Sequence, residues 1–339
     1  MCFSGQNSLS LVVKKMHMQN RYETPPTLAF VVPCYNEEAV IKELLKRLQA
    51  VSEDLLKSGA IRQLATLVLV DDGSTDQTWK IIRAASKTDP VRGLRLSRNH
   101  GHQAALLAGL MAAKEEVLIS LDADLQDDPS AIPKMLQAYA LGADIVFGVR
   151  ASRKSDTFFK RRSARLYYKL LKNMGVDVIP DHADYRLMSR KSVETLREYG
   201  EVNLFLRGII KNLGYQVEIV EYDRVERFAG ETKYPVTKML RLAIEGITSF
   251  STRPLRYVTW IGLVAALASF LLGCYSIVIW WQGGTIPGWT SIVVPTFMLG
   301  SFQLIALGIV GEYLGKIYLE TKRRPQFIID EIAEPETLN

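Results

Sequence analysis

The chain reads as an α/β protein with a mostly parallel sheet flanked by helices, followed by an interfacial helix and a two-helix transmembrane hairpin. Three observations predict this. Short apolar strand-like runs alternate with helical patterns from residue 28 to residue 149, the signature of βαβ units and a parallel sheet. Two long apolar runs, 257–281 and 289–315, follow close together. Polar clusters stand directly after several strand-like runs, where open α/β sheets bind ligands. With 339 residues, there is room for one large domain and further elements.

Residues 1–26 hold only a short apolar run at 9–13, too little for a signal-peptide core. They read as a disordered extension, with Met16 or Met18 as alternative starts. Residues 27–232 form the main domain. Its first strand, 28–33 (LAFVVP), precedes a helix over 37–57 with Ile41, Leu44, Leu45, Leu48, Val51 and Leu55 at helical spacing. A strand over 67–70 runs into Asp71-Asp72-Gly73-Ser74, a turn in which Ser74 or Thr75 is placed to cap the next helix, 75–86. A strand at 94–97, a helix at 101–113 and a strand at 117–121 follow, the last ending in Asp122-Ala123-Asp124. A helix over 129–139 and a strand over 145–149 complete the alternation.

Residues 233–255 contain VTKMLRLAIEGITSF, with apolar residues at helical spacing and basic residues between them. This reads as an amphipathic interfacial helix, with an ordinary domain helix as the alternative. The spans are placed at 256–282 and 289–315, each with enough apolar residues to cross a hydrocarbon core of about 30 Å. Tyr257, Trp260, Trp280, Trp281 and Trp289 mark their boundaries. The loop 282–288 is uncharged, whereas Arg241, Arg253 and Arg256 precede the hairpin and Lys316, Lys322, Arg323 and Arg324 follow it. The positive-inside rule puts both flanks, the main domain and the tail 316–339 in the cytoplasm.

The net charge is +6. Its clusters flank the spans, which points to anionic lipid and phosphate-bearing substrates rather than nucleic acid. Cys2, Cys34 and Cys274 are scattered, which argues against a disulfide framework or a zinc site and fits a reducing compartment. No Gly-x-Gly-x-x-Gly and no P-loop occurs, so a bound phosphate would be held by metal and arginines instead. Arg150, Arg161, Arg162, Arg224 and Arg227 are the candidates, with solvated surface roles as the alternative.

Asp122 and Asp124 sit two positions apart at a strand end, where their carboxylates can converge on one hard cation, Mg2+ or Mn2+. Gln126 is near enough to add an oxygen. Such an ion stabilises a departing nucleoside diphosphate; an exposed strand-end turn would show the same Asp-x-Asp. Asp71 and Asp72 can accept hydrogen bonds from a nucleotide base or ribose. His100 and His102 flank Gly101 at a helix start without visible metal partners, and are assigned to capping or packing.

Six segments appear in order: Pro33-Cys34-Tyr35-Asn36-Glu37, Asp71-Asp72-Gly73-Ser74, Arg98-Asn99-His100-Gly101-His102-Gln103, Asp122-Ala123-Asp124-Leu125-Gln126, Asp184-Tyr185-Arg186-Leu187-Met188, and Arg227-Phe228-Ala229-Gly230-Glu231-Thr232-Lys233-Tyr234. Together they resemble glycosyltransferase family 2, in its polyprenyl-phosphate branch, over roughly 28–325. The likeness is to bactoprenol glucosyltransferases and, more distantly, to dolichyl-phosphate mannose synthases. The resemblance implies a GT-A fold, an inverting transfer from a UDP-sugar to polyprenyl (undecaprenyl) phosphate at the inner membrane, and a homo-oligomer. Glucose, galactose, N-acetylglucosamine, mannose or a modified arabinose would leave the same motifs. It places the nucleotide near Pro33, Tyr35, Glu37, Asp71, Asp72 and Asp122, and the metal on Asp122, Asp124 and Gln126. It sets Arg150, Arg161, Arg162, Arg227 and Lys233 near phosphate or acceptor, and maps the catalytic base to Asp184. The alternatives are that Asp184 takes a residual proton, orients a neighbouring arginine, or forms a salt bridge with Arg186 or Arg190. Ala183 stands where the family usually has glycine, which predicts strain of about 1–2 kcal/mol if the backbone there is left-handed. A processive polysaccharide synthase is disfavoured because no Gln-x-x-Arg-Trp and no larger set of spans is present. Intact Asp122, Asp124 and Asp184 argue against a non-catalytic membrane adaptor.

Overall fold

The computed structural model describes residues 24–87, 90–150, 174, 182–201, 206–222, 247–248, 251–282 and 288–334. The described residues of 24–222, except 174, together with those of 325–334, make one unit; 174 and those of 247–324 belong to a second. The first unit is built on eight strands: β1 (Leu28–Cys34), β2 (Thr66–Asp71), β3 (Val91–Leu96), β4 (Val117–Ser120), β5 (Ile145–Arg150), β6 (His182–Ser189), β7 (Val217–Tyr222) and β8 (Ile329–Ala333). They form one sheet in the order β7-β5-β6-β4-β1-β2-β3-β8. β1 pairs in parallel with β2 and β4, β2 with β3, and β5 with β7. β6 runs antiparallel between β4 and β5, and β8 antiparallel on β3. Every residue of β1 is buried, which is why this stretch is apolar throughout rather than alternating.

The helices of this unit are α1 (Ile41–Lys57), α2 (Thr78–Ala85), α3 (His102–Ala112), α4 (Ile132–Ala140), α5 (Arg190–Arg197) and α6 (Leu206–Asn212). α1 buries Ile41, Leu44, Leu45, Leu48 and Leu55 on one face, matching its sequence spacing. Its start is displaced from residue 37, because the Glu37 carbonyl instead closes a turn by accepting from the amides of Val40 and Ile41. Ser74 and Thr75 do not cap α2. Ser74 Oγ accepts from the Asn36 amide at 2.9 Å, and Asp76 takes the Thr78 amide at 2.9 Å. α3 lies directly on the sheet. A Cβ on Gly109 would stand 2.4 Å from Val31 Cγ1 and 2.9 Å from Val70 Cγ2, so only glycine allows this approach to β1 and β2.

The segment 316–339, read from sequence as a tail, supplies the end of a helix and then β8. There Glu331 accepts from the Trp79 indole at 3.0 Å and pairs with Arg83 at 3.2 Å, and Glu334 lies 2.9 Å from the buried Arg92. β8 thereby covers the backbone edge that β3 would otherwise leave open.

The second unit contains α7 (Arg253–Trp281) and α8 (Trp289–Lys322). Both carry stretches long and apolar enough to cross a membrane, Arg253–Ile279 with mean hydropathy 2.2 and Pro295–Lys322 with 1.5, none of it buried. Trp260, Phe270, Phe297 and Leu304 all stand exposed, a surface that water does not favour. Hydroxyls along both helices bond back to their own backbone: Thr259 to the Leu255 carbonyl, Ser276 to Leu272 and Ser301 to Phe297. Such back-bonding satisfies a hydroxyl on an apolar helix. Most of 233–255, read as an interfacial helix, lies outside the described residues.

Candidate active site

The carboxyl ends of three adjacent strands, β4, β1 and β2, carry the polar residues singled out in the sequence. Pro33 lies in β1 beside Val70, and Cys34 faces Asp71 across the β1–β2 ladder. Burial, with Glu37 and Asp71 nearby, pushes the Cys34 thiol up, which leaves it inert as a nucleophile. Tyr35 is exposed and Glu37 half-buried. The loops after β1 and β2 are stitched together: the Glu37 amide donates to Thr78 Oγ1 at 2.8 Å, and the Thr75 amide to Asn36 Oδ1 at 2.9 Å. Asn36 itself adopts φ 55°. Asp71 is fully buried and its carboxyl is raised by burial, against the Ser74 hydrogen bonds and the Arg95 charge.

Asp72 has an inward role. Its two carboxylate oxygens accept the amides of His100 at 2.7 Å and Gly101 at 2.9 Å. Gly73 follows with φ +67°, and a Cβ there would meet the Arg98 carbonyl carbon at 2.5 Å. The turn after β2 is thus locked onto the loop that starts α3, and that loop delivers His102.

His102, assigned from sequence to capping or packing, belongs to the site instead. Its Nε2 stands 3.4 Å from Asp122 Oδ1 and 3.2 Å from Asp184 Oδ2. Burial opposes its charged form, but the hydrogen bond to Asp184 and the charges of Asp122 and Asp184 outweigh this and raise its pKa. The sequence offered only the Gly-His pair at a helix start; the partners come from strands 20 and 82 positions further along the chain.

The antiparallel direction of β6 brings those partners together. Ser120 of β4 pairs with Arg186 of β6, and two further residues along the same register place Asp122 opposite Asp184. Ser120 Oγ donates to the Asp184 carbonyl at 2.6 Å. Ala183 lies within extended β6 and is absent from the positive-φ residues, which outside glycine are Asn36, Leu125 and Arg323 among the described residues. The strain predicted for alanine there does not arise.

Asp184 is buried, and both its oxygens meet cations. Arg186 Nη2 and Arg207 Nε approach Oδ1, while Arg207 Nη2 reaches Oδ2 at 3.1 Å. Burial alone would raise its carboxyl, but Arg186, His102 and Arg207 hold it well below the usual range. Arg190 binds the Ala113 and Glu115 carbonyls instead. Of the two salt bridges considered from sequence, Asp184–Arg186 forms, and Arg207 joins it unannounced.

Burial, then the charges of Asp127, Asp184 and Asp124, raise Asp122 to about 6 despite His102. Asp127 is occupied by the Tyr222 hydroxyl at 2.7 Å and the Asp122 amide at 3.3 Å. Leu125 takes φ 58°, an unusual conformation for a γ-branched residue. The turn it makes brings the Gln126 amide to Asp124 Oδ1 at 3.2 Å. His102, Asp122 and Asp184 offer ligand atoms within 4.8 Å of one another. Asp122 Oδ1 is buried without a hydrogen-bond partner. Such an atom fits a divalent cation. Asp124 is not in that cluster. Arg150 ends β5 opposite Tyr222; Arg161, Arg162, Arg227 and Lys233 lie outside the described residues.

A mostly parallel sheet flanked by helices, with carboxylates gathered at adjoining strand ends, is an architecture of GT-A type. The model of glycosyl transferase family 2 matches residues 29–197. The chain is 47% identical to the glycosyltransferase YkoT of Bacillus subtilis over 91% of its own length and 92% of that protein's. It is 41% identical to a prophage bactoprenol glucosyl transferase homolog of Escherichia coli, covering 91% and 99%, and 41% identical to the bactoprenol glucosyl transferase of Shigella phage SfV, covering 89% and 97%. Among solved structures, it is similar to glucosyl-3-phosphoglycerate synthase of Mycobacterium tuberculosis at TM-score 0.45 and 18% identity, over 73% and 82% of the two chains. The chain belongs to glycosyltransferase family 2.

Proposed function

We propose that this protein transfers a hexose, glucose from UDP-glucose, to a polyprenyl phosphate such as undecaprenyl phosphate at the cytoplasmic face of the membrane. The observation that carries the reading is one chain holding both the carboxylate site and two unburied apolar helices. The names of full-length relatives, bactoprenol glucosyl transferases, supply the acceptor class.

Chain parity supports the topology. β1 to β7 precede the two apolar helices and β8 follows them, yet all eight strands share one sheet. A sheet occupies one side of a bilayer, so the intervening spans must return the chain to the side it left. The basic flanks favour the cytoplasm as that side.

A divalent cation held by Asp122 with His102, Asp124 or Gln126 would neutralise charge on a departing nucleoside diphosphate. The acceptor needs little help to attack. A phosphate monoester has a second pKa near ~6 and is mostly dianionic at neutral pH. Direct displacement by its oxygen inverts the anomeric carbon.

Detergent-purified protein given undecaprenyl phosphate and UDP-glucose should form a lipid-linked hexose only when Mg2+ or Mn2+ is present. Screening UDP-galactose, UDP-N-acetylglucosamine and GDP-mannose beside it, with mass analysis of the lipid, reads the sugar. No lipid product with any donor would refute the proposal.

A further inference from the structure

The turn that carries Asp122, Asp124 and Gln126 runs on into Asp127 and Asp128, and two tyrosines fasten it there. Side chains alternate along an extended strand, so Tyr185 of β6 points away from the face on which Asp184 meets His102. Tyr185 is buried, and its hydroxyl donates to the Asp128 carbonyl at 3.1 Å. Tyr222, the last residue of β7, meets the Tyr185 ring edge to face with centroids 5.1 Å apart, a favoured aromatic arrangement. Tyr222 is buried as well, and its hydroxyl donates to Asp127 Oδ1 at 2.7 Å. A phenylalanine would pack on Tyr185 equally well; only the hydroxyl reaches Asp127.

Asp127 passes that restraint on. Its Oδ2 accepts the backbone amide of Asp122 at 3.3 Å, the residue whose Oδ1 is buried without a hydrogen-bond partner. A hydroxyl donating to a carboxylate makes a charge-assisted bond. The Tyr222 hydroxyl therefore fixes the Asp127 carboxylate, and the carboxylate fixes the Asp122 backbone. Asp127 also adds charge: with Asp184 and Asp124 it is one of three carboxylates that act on Asp122. That crowding repels until a cation is present, and then attracts it. Groups that hold a ligand residue from behind orient it and tune its affinity.

We propose that Asp127 and Tyr222 are positioning residues for a divalent cation at Asp122, the Tyr222 hydroxyl fixing the Asp127 carboxylate and that carboxylate aiming Asp122 through its amide. This rests on the reading of Asp122 as a cation ligand.

Binding of Mn2+ to the full-length protein in detergent tests it without any turnover. Mn2+ would be titrated with and without UDP, each against a protein-free blank, and the free ion read by electron paramagnetic resonance. Tyr222→Phe keeps the ring against Tyr185 and should weaken Mn2+ ~3–10-fold, the effect of one lost hydrogen bond. Asp127→Asn should weaken it ~10–100-fold, as for other groups that hold a metal ligand from behind. In the transfer assay both variants should need more Mn2+ for half-maximal rate, with kcat at saturating Mn2+ within ~3-fold of wild type. Thermal unfolding checks that each variant is folded. A lowered Tm with normal Mn2+ affinity in either folded variant marks a merely structural role and overturns the proposal. So does tighter Mn2+ binding by Tyr222→Phe, because an Asp127 that ligates the ion directly gains when its hydroxyl partner leaves. If Asp127→Asn fails to fold, Tyr222→Phe decides alone. Wild-type protein that binds no Mn2+ in either titration removes the cation reading and the proposal together, whereas normal binding by wild type and variants alike removes the proposal only.

Discussion

Replacing Asp72 by asparagine tests whether this carboxylate clamps a loop or contacts a nucleotide. Its two oxygens accept the amides of His100 and Gly101, at 2.7 and 2.9 Å, in a buried setting. Asparagine fills the same volume but keeps one acceptor; its NH2 would face the second amide donor. A hydrogen bond to a charged group is worth about 1.5–3 kcal/mol, so the substitution should destabilise the domain by about 2 kcal/mol. For a domain of this size each kcal/mol moves Tm by about 2–4 °C, giving a drop of about 4–8 °C. Relief by local movement is blocked by Gly73, whose backbone already abuts Arg98. Thermal unfolding followed by intrinsic tryptophan fluorescence reads the effect without substrate. UDP affinity should fall as well, because the loosened loop carries His102. An Asp72→Asn protein with Tm within about 1 °C of wild type and no UDP binding would refute the reasoning, making the carboxylate a nucleotide ligand.

Four further outcomes follow. Asp122, raised to about 6, binds its proton more readily folded than unfolded, so its contribution to stability is present at acid pH and is lost as pH rises through about 6. A metal competes with that proton, so Mn2+-dependent UDP binding should rise over the same window, and calorimetry on either side of pH ~6 measures it. Glu331→Ala removes the Trp79 and Arg83 contacts and should cost about 1 kcal/mol, read as a shift in Tm. Ending the chain after Arg324 should do more: with β8 gone the β3 edge is open, and light scattering should reveal association. A cysteine placed in the loop 283–287, in a Cys274→Ser background, should react with an impermeant maleimide from outside intact cells, and one placed near the C-terminus should not. Equal labelling at both positions would contradict the hairpin orientation.

Much of the fold was legible because its signals are local. The apolar runs that became β1, β2, β4 and β5 are continuous in sequence, and α1 shows its buried face as a spacing of leucines. The two long apolar helices announce themselves by length alone. What stayed hidden depends on pairing between distant residues. β8 is five residues of mixed polarity, and nothing local distinguishes it from a tail; it is a strand because β3 offers an edge and Trp79 offers Glu331 a donor. β6 carries Asp, Tyr and Arg among apolar residues, so its strand character comes from filling the gap between β4 and β5.

The site divides along the same line. Residues immediately after parallel strands could be named from sequence, whereas His102 and Arg207 could not. The decisive element is the direction of β6. Because it runs antiparallel to β4, the start of one strand lies at the end of the other, and Asp184 arrives beside Asp122. A parallel β6 would put Asp184 at the far edge of the sheet, away from His102, and Arg186 would have no reason to be buried there. The motif containing Asp184 is thus readable as a motif, but its chemistry is set by a strand direction that no residue within it encodes. That direction also decides which charges face Asp184. Arg186, Arg207 and His102 all meet its oxygens, and their charges hold the carboxylate ionised.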